Sequence, residues 1–296
     1  MGLSIQMAEL IAIESKYKPL PKVVHTVGRL SMGFDYEEAR ATLRRCGVEP
    51  RPVKIEIDTE TMEARTGQHG RINDRTFFGM LGASEVAAID ISSYEGASII
   101  CDLCSPIPDH LAGVCDFIVG GSTLDNVFSP AQYVQNIAKM LRVGGRWFEI
   151  NHANDFKSPY VILTPPWYFD FFCVNRFSDC RIYVLEFAGA VHAYKMLVPL
   201  LPNQQVGWGL IDNFEGRGDT LLAVVAFAEK GAASTWNVIP VQAPYRDEAR
   251  VSEYGKCLSA LIKNPRPWAV LRRTAAPPPS LKRHTPPGNY HYIGHF

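Results

Sequence analysis

The middle of the chain, residues 84–150, alternates short apolar runs with polar segments. The apolar runs are residues 86–89, 98–100, 117–119 and 147–150. Between the third and fourth runs, apolar residues from Val134 to Leu141 recur at the spacing of one helix face. Short apolar strands separated by helical or loop segments are typical of a parallel sheet covered on both faces. This stretch therefore predicts an α/β fold.

Acidic residues stand at the ends of these predicted strands. Asp90 and Asp102 follow the first two runs, and Asp116 precedes the third. Ligands of open α/β sheets bind outside the carboxyl ends of the strands. Because a carboxylate offers two acceptor oxygens and no donor, Asp90 is suited to hold the two hydroxyls of a ribose. NAD, a nucleotide or an adenosyl cofactor would fit this pattern equally.

Two longer sequence segments narrow the choice among these cofactors. Residues 116–130 read DFIVGGSTLDNVFSP and residues 141–150 read LRVGGRWFEI, with the predicted helix between them. In this order they resemble the class I S-adenosylmethionine-dependent methyltransferases, and the resemblance covers about residues 22–231. It implies a Rossmann-like, doubly wound sheet of seven mostly parallel strands. Residues 181–187 and 220–228 would be the last two strands, the final one inserted antiparallel.

The same resemblance implies S-adenosyl-L-methionine as cofactor. The family carries a glycine-rich signature after its first strand, whereas this chain has only Gly28 and, after a gap, Gly33. The alternative is that Gly28 ends an ordinary strand and that the cofactor site is altered or inactive. If the cofactor binds, its expected contacts come from the ends of the first four strands, at Thr26, Gly28, Arg29, Asp90, Ile91, Ser92, Asp102, Leu103, Gly120, Gly121 and Ser122.

Two further residues lie where the family places its acceptor. Asp125 follows the fourth strand, and its alternative role is to cap the helix that begins near Ser129. His152 follows the fifth strand and suits a general base, because a free histidine titrates near neutral pH. A histidine hydrogen-bonded within a loop is the equal alternative. We predict Asp125 and His152 as catalytic residues.

Composition indicates a globular protein and limits its partners. The 296 residues are 47% hydrophobic and 20% charged with a formal net charge of zero, so no long-range field attracts nucleic acid or an anionic membrane. The odd number of cysteines, seven, indicates a reducing compartment, and we expect a cytoplasmic protein. Cys101 and Cys104 form one C-x-x-C pair without a second pair at metal-ligand spacing, so we predict packed thiols and no metal site.

The remaining elements follow from local patterns. Residues 3–17 predict an amphipathic helix, in which Glu9 and Glu14 argue against a signal peptide or a membrane span. Residues 34–46 and 73–81 predict helices, and residues 50–58 predict a strand. Residues 59–72 predict an exposed loop or, alternatively, a segment that covers the cofactor. The aromatic residues 165–172 predict a helix packed on the sheet, with an exposed ligand platform as the alternative.

We expect a methyltransferase-like domain over residues 1–231 and an extension with a proline-rich tail over residues 232–296. The tail after about residue 264 reads as an extended segment that the sheet does not need in order to fold, and its aromatic end is expected to dock on its own domain or on a partner. The predicted function is O- or N-methylation of a small-molecule or sugar acceptor. The alternatives are a non-catalytic methyltransferase-like protein and, with less support because no G-x-G-x-x-G precedes a helix, a nucleotide-cofactor oxidoreductase.

Overall fold

A computed structural model describes residues 2–67, 69–154, 160–188, 190–196, 221–263 and 290–296. The chain divides into two compact units, Met1–Glu149 and Ile150–Phe296. The principal sheet within the described residues contains nine strands of mixed direction. The predicted α/β class is therefore confirmed, whereas the predicted sheet of seven mostly parallel strands is wrong.

The first unit contains a parallel arrangement of strands. The described strands are β1 (Gly2–Leu3), β2 (Val23–Val27), β3 (Ser31–Met32), β4 (Glu85–Asp90), β5 (Ile99–Ile100), β6 (Cys115–Gly121) and the start of β7 (Leu141–His152); the parallel pairings are those among β1 to β6. Strand β2 lies between β4 and β6, and β5 pairs with β4; all three pairings are parallel. Strands β1 and β3 pair with each other in a separate small sheet. Since Val27 faces both Ile89 and Gly120, the carboxyl ends of β2, β4 and β6 lie side by side.

The described helices of the first unit are α1 (Ile5–Ser15), α2 (Tyr36–Arg45), α3 (Met62–Arg65), α4 (Asp74–Met80) and α5 (Pro130–Met140). Asp35 caps α2 by accepting the backbone N–H of Glu38, and Asn73 caps α4 by accepting that of Thr76. Such caps satisfy backbone donors that have no partner inside the helix, and so favour the start of a helix at that residue. The helices predicted at residues 3–17, 34–46 and 73–81 are confirmed.

The strand predicted at residues 50–58 is wrong. Within the described residues this segment makes one isolated bridge, between Ile57 and Ile72. The side chains of Ile55 and Ile57 are 50% and 48% exposed, so the alternating pattern does not bury a face. Strand β7, in turn, begins directly after α5 at Leu141, earlier than the apolar run at residues 147–150 indicates.

The second unit contains the end of β7, α6 (Pro165–Val174), β8 (Asp179–Ala188), β9 (Ala190–Met196), β10 (Leu221–Glu229), α7 (Glu248–Ile262) and β11 (Tyr290–His295). Strand β8 pairs antiparallel with β9 and β10, and β11 pairs antiparallel with β9. The antiparallel strand predicted at residues 220–228 is confirmed as β10. Residues 290–295 pair with β9, which confirms that the aromatic end docks on its own chain; they form a strand there and not an extended tail. The proline-rich residues 264–289 lie outside the described residues.

Helix α6 packs its aromatic residues inward. It buries Tyr168, Phe169, Phe171 and Phe172, which confirms the packed interpretation of residues 165–172 and excludes an exposed aromatic platform for these four side chains. In the described part of the chain, no helix is long and apolar enough to span a membrane.

Candidate functional site

The turn after β2 passes over the end of β4. Gly28 follows β2 directly and has a φ of 69°, a left-handed conformation that glycine adopts without steric cost. Its backbone N–H donates to the carbonyl oxygen of Ile89 at 2.7 Å. The predicted strand end at Gly28 is therefore a tight turn beside the strand that carries Asp90.

Asp90 is the last residue of β4 and retains one oxygen for a ligand. Its Oδ1 accepts the backbone N–H groups of Ile91 at 2.6 Å and Ser92 at 3.4 Å. No described residue donates a hydrogen bond to its Oδ2. The next side chain, Ile91, is 69% exposed and offers an apolar surface beside this carboxylate. A free acceptor beside an exposed apolar side chain suits a ligand that has both hydroxyl groups and a flat apolar ring.

Asp102 is engaged in its own turn. Its Oδ1 accepts the backbone N–H of Cys104 at 2.8 Å, and its Oδ2 accepts the hydroxyl of Ser105 at 2.8 Å. Leu103 is buried, and its carbonyl oxygen accepts the side-chain amide of Asn136 at 3.0 Å. Cys101 is a buried free thiol whose pKa is raised by burial and then by Asp102. These contacts order the loop after β5, and a role of Asp102 and Leu103 in cofactor binding stays a prediction.

Gly120 and Gly121 are glycines because protein atoms fill the space beside them. A Cβ on Gly120 would lie 1.8 Å from Oε2 of Glu149. A Cβ on Gly121 would lie 2.7 Å from Cδ2 of Leu30 and 3.4 Å from the carbonyl oxygen of Gly2. A side chain at either position would collide with these atoms. Because a glycine has only backbone atoms, any contact with a cofactor would come from the backbone.

Glu149 is a residue of this region that the sequence analysis missed. It is fully buried on β7, where its Oε2 accepts the hydroxyl of Tyr133 at 3.1 Å and the indole N–H of Trp147 at 3.2 Å. Its Oε1 has no hydrogen-bond partner in the described residues. Burial raises the pKa of Glu149 well above its usual value, because a low-dielectric surrounding disfavours the charged form. An acid inside the apolar run 147–150 was the signal that could have identified it.

Arg29 forms ion pairs inside the protein. Its guanidinium is buried and contacts Asp74, at the start of α4, and Glu60 at 3.4 Å. Burial raises the pKa of Asp74 to about 6, although Arg29 opposes the shift. Thr26, also expected to touch the cofactor, is fully buried with its hydroxyl unpartnered among the described residues. Arg29 thus fixes the turn after β2 to α4, and cofactor contacts of Arg29 and Thr26 stay predictions.

The segment around α3 lies against the loop that follows β4. The backbone N–H of Met62 donates to Oε1 of Glu95 at 2.7 Å. The guanidinium of Arg65 lies 4.6 Å from the centroid of the Tyr94 ring. Residues 59–72 are therefore not a simple exposed loop, since this part of them is attached to the loop that follows β4.

Asp125 lies beyond β6 and is 2% exposed. Its carboxylate accepts the hydroxyl of Ser122 at 3.0 and 3.1 Å and the side-chain amide of Asn126 at 3.2 Å. Ser122 has a φ of 67°, which is uncommon for a residue with a side chain. Helix α5 begins after Ser129, so Asp125 orders the turn after β6, and the alternative that it caps this helix is wrong.

His152 is the last residue of β7 and belongs to the second unit. It is half-buried, and its Nδ1 is buried without a hydrogen-bond partner in the described residues. Its role as a base stays a prediction. Within the described ranges, no cluster of three or more histidine, cysteine, aspartate or glutamate side chains has the arrangement of a metal site.

Comparisons with known proteins find distant likenesses in solved structures. No family model matches the chain, and no curated protein matches it significantly. The CMeT domain of a citrinin polyketide synthase is 14% identical over 51% of this chain and 35% of its own, with a TM-score of 0.30. The 1,6-didemethyltoxoflavin-N1-methyltransferase of Burkholderia thailandensis is 11% identical over 76% of this chain and 78% of its own, with a TM-score of 0.36.

A third similar structure belongs to a protein of a different activity. It is a putative zinc-dependent alcohol dehydrogenase of Rhodobacter sphaeroides, 12% identical over 50% of this chain and 46% of its own, with a TM-score of 0.27. This chain thus spans less than half the length of two of the three structures. At such TM-scores and identities, the likenesses identify neither family nor activity, so the functional argument depends on the residues of the site.

Proposed function

We propose that this protein binds S-adenosyl-L-methionine at the carboxyl edge of its first unit and transfers the methyl group to a small-molecule or sugar acceptor. The observation that carries the proposal is Asp90, which ends β4 beside the turn at Gly28 and has Oδ2 available. Ligands of open α/β sheets bind at this edge. The sequence resemblance of residues 116–150 adds the choice of cofactor.

Different residues around Asp90 would contact different parts of S-adenosyl-L-methionine. Oδ2 of Asp90 would accept the ribose hydroxyls, while the exposed side chain of Ile91 would lie against the adenine ring. Ser92 and Asp102 stand on the loops after β4 and β5 and would line the same end. Gly28 would allow the backbone of the turn to approach the ligand closely.

Methyl transfer requires few chemical steps of the protein itself. S-adenosyl-L-methionine supplies a methyl group on a sulfonium, which is already a good electrophile. The protein must therefore align the acceptor and, for a hydroxyl or ammonium acceptor, remove a proton. We propose Asp125, which is held by Ser122 in the turn after β6 of the first unit, as a group that influences this step. His152, which ends β7 in the second unit, stays a predicted base.

Titration calorimetry with S-adenosylhomocysteine tests the cofactor site directly. Asp90→Ala should weaken binding by about 1–3 kcal/mol, because ligand hydroxyls lose a charged acceptor. Asp109→Ala, which removes an exposed carboxylate paired with Lys139, is the control and should bind as the unaltered protein does. Equal affinity of the Asp90→Ala variant in a folded protein contradicts the assignment. A titration with NAD should give no binding, and tight NAD binding would favour an oxidoreductase.

One specific observation favours a second candidate function, that of a non-catalytic protein that keeps the fold. Leu30 and the carbonyl of Gly2 pack beside Gly121, and the turn after β2 lacks the full glycine-rich signature. Protein atoms thus occupy part of the edge next to the proposed site. If the unaltered protein binds neither S-adenosylhomocysteine nor NAD, a non-catalytic protein that keeps the fold becomes the better proposal.

A further inference from the structure

The second unit contains a groove of about 400 Å³, between residues 235–241 and the first half of α7. Its apolar lining comes from the end of α6 and from the segment after β10, at Val174, Val238, Ile239 and Val241. A concavity of this volume is in the range of small-molecule sites, which are mostly apolar with a few polar groups. None of its residues belongs to the proposed cofactor site.

Large apolar side chains remain exposed at this groove. Ile239 is 61% exposed and Val238 is 42% exposed. Close to them in the sequence, Trp236 and Tyr245 are also exposed, at 39% and 76%. Single exposed apolar residues are common, but several within ten residues of chain and beside a concavity indicate a binding surface.

Two exposed arginines stand at the rim of the groove. Arg176 and Arg250 line it with side chains that are 54% and 60% exposed, whereas Glu253 is the one acidic residue in the lining. Arg176 pairs with Glu253, and Arg250 pairs with Asp247. A guanidinium has five N–H donors, so each arginine keeps donors for a further anion.

The wall of the groove on α7 is rigid. The guanidinium of Arg246 lies 3.6 Å from the centroid of the Tyr254 ring and donates to Asp170 at 3.0 Å and to the carbonyl of Val241 at 2.7 Å. Tyr254 also donates to Asp170, at 2.7 Å. Burial raises the pKa of both Asp170 and Tyr254. Arg246 is therefore part of the wall, and the exposed Arg176 and Arg250 are the ligand-facing cations.

The opposite wall is also held in place. Asn175 is fully buried, and its side chain exchanges hydrogen bonds with the backbone of Val238, at 2.9 and 3.1 Å. It also accepts the hydroxyl of Thr235 at 2.9 Å. A groove whose two walls are fixed before binding loses little conformational entropy when a ligand enters.

We infer that this groove binds an amphipathic carboxylate, an alkyl or aryl chain that ends in one carboxylate group. The chain would lie on Val238, Ile239 and Val241. The carboxylate would accept hydrogen bonds from Arg176 and Arg250, for which the planar guanidinium is the matching donor.

Displacement of 8-anilinonaphthalene-1-sulfonate, a fluorescent aromatic anion, tests the inference on the full chain. Octanoate should displace the probe at a concentration at least tenfold below that required of 1-octanol, which has the same chain length without the charge. Arg176→Gln should weaken the binding of octanoate about tenfold, as expected for the loss of a charged hydrogen bond. The binding of octanol should not change. Ile239→Asp should weaken both the probe and octanoate.

Matched variants separate the groove from the rest of the surface. Arg40→Gln and Val143→Asp change an exposed ion-paired arginine and a 63% exposed valine elsewhere, and both should bind as the unaltered protein does. If Ile239→Asp does not fold, Arg250→Gln takes its place and should weaken octanoate as Arg176→Gln does. Equal potency of octanol and octanoate, or octanoate binding that none of the groove variants changes, would overturn the inference.

Discussion

Glu149 shows how a single side chain determines its surroundings. Its carboxyl group fills the position of a side chain on Gly120, and two buried donors converge on its Oε2. A carboxylate buried without a cation is costly, so these surroundings favour the protonated form of Glu149. The acid and the glycine therefore form one unit, although they are far apart in the sequence.

The protonation of Glu149 gives a prediction for stability. Because its pKa is higher in the folded than in the unfolded protein, the folded state binds more protons, and this group's contribution falls as pH rises above the unfolded pKa. Relative to Glu149→Gln, which stays neutral, the unaltered protein should lose unfolding free energy as pH rises above about 4.5, by at most about 1.4 kcal/mol per pH unit. Urea unfolding of both proteins between pH 5 and pH 7 measures this slope.

Glu149→Leu completes the test. At every pH in this range it should destabilise more than Glu149→Gln, by about 1–3 kcal/mol, because Tyr133 and Trp147 then lose a buried acceptor. A difference between the unaltered protein and Glu149→Gln that does not change with pH would show that Glu149 is ionised in the folded state.

At the scale of elements, the segment after β10 depends on one residue at the end of α6. Asn175 makes four side-chain hydrogen bonds, to Phe171, Thr235 and twice to Val238. The side chain is fully buried, and its loss removes all four bonds, including those to the backbone N–H and C=O of Val238.

Asn175→Ala should therefore lower the free energy of unfolding by about 2–4 kcal/mol, since it removes four hydrogen bonds that contribute about 0.5–1.5 kcal/mol each. Thr235→Val, which removes one of the four bonds, is the matched control and should cost about 1 kcal/mol. Chemical denaturation followed by circular dichroism compares the two. An Asn175→Ala variant no less stable than Thr235→Val would contradict the proposed role.

The sequence predicted those elements whose information is local. Periodicity and caps predicted α2, α4 and α5. The apolar runs predicted that Asp90 and Gly28 stand at strand ends. The segment at residues 50–58 failed because alternation indicates a strand only where a neighbouring strand is present, and here Ile57 meets a single partner, Ile72. Glu149, Leu30 and Asn175 were missed because their roles depend on residues distant in the sequence.

At the scale of the whole molecule, the end of the chain contributes an edge strand to the sheet. Strand β11 pairs with β9, and the ring centroids of Tyr292 and Tyr194 lie 5.5 Å apart. Tyr194 is fully buried. Composition alone favoured a separate tail, because prolines precede residues 290–295, while the aromatic residues of this end are those that pack against a sheet.

A chain that ends at Lys263 should therefore be less stable, in contrast to the expectation from composition. Loss of β11 removes the ladder on β9 and uncovers Tyr194, whose burial and ring contact account for about 2–4 kcal/mol. Tyr292→Ala, which keeps the ladder and removes the ring, should cost about 0.5–1.5 kcal/mol and separates the two contributions. Urea unfolding at one pH compares the three proteins. If the shortened chain unfolds at the same urea concentration as the full chain, the pairing of β11 with β9 does not stabilise the second unit.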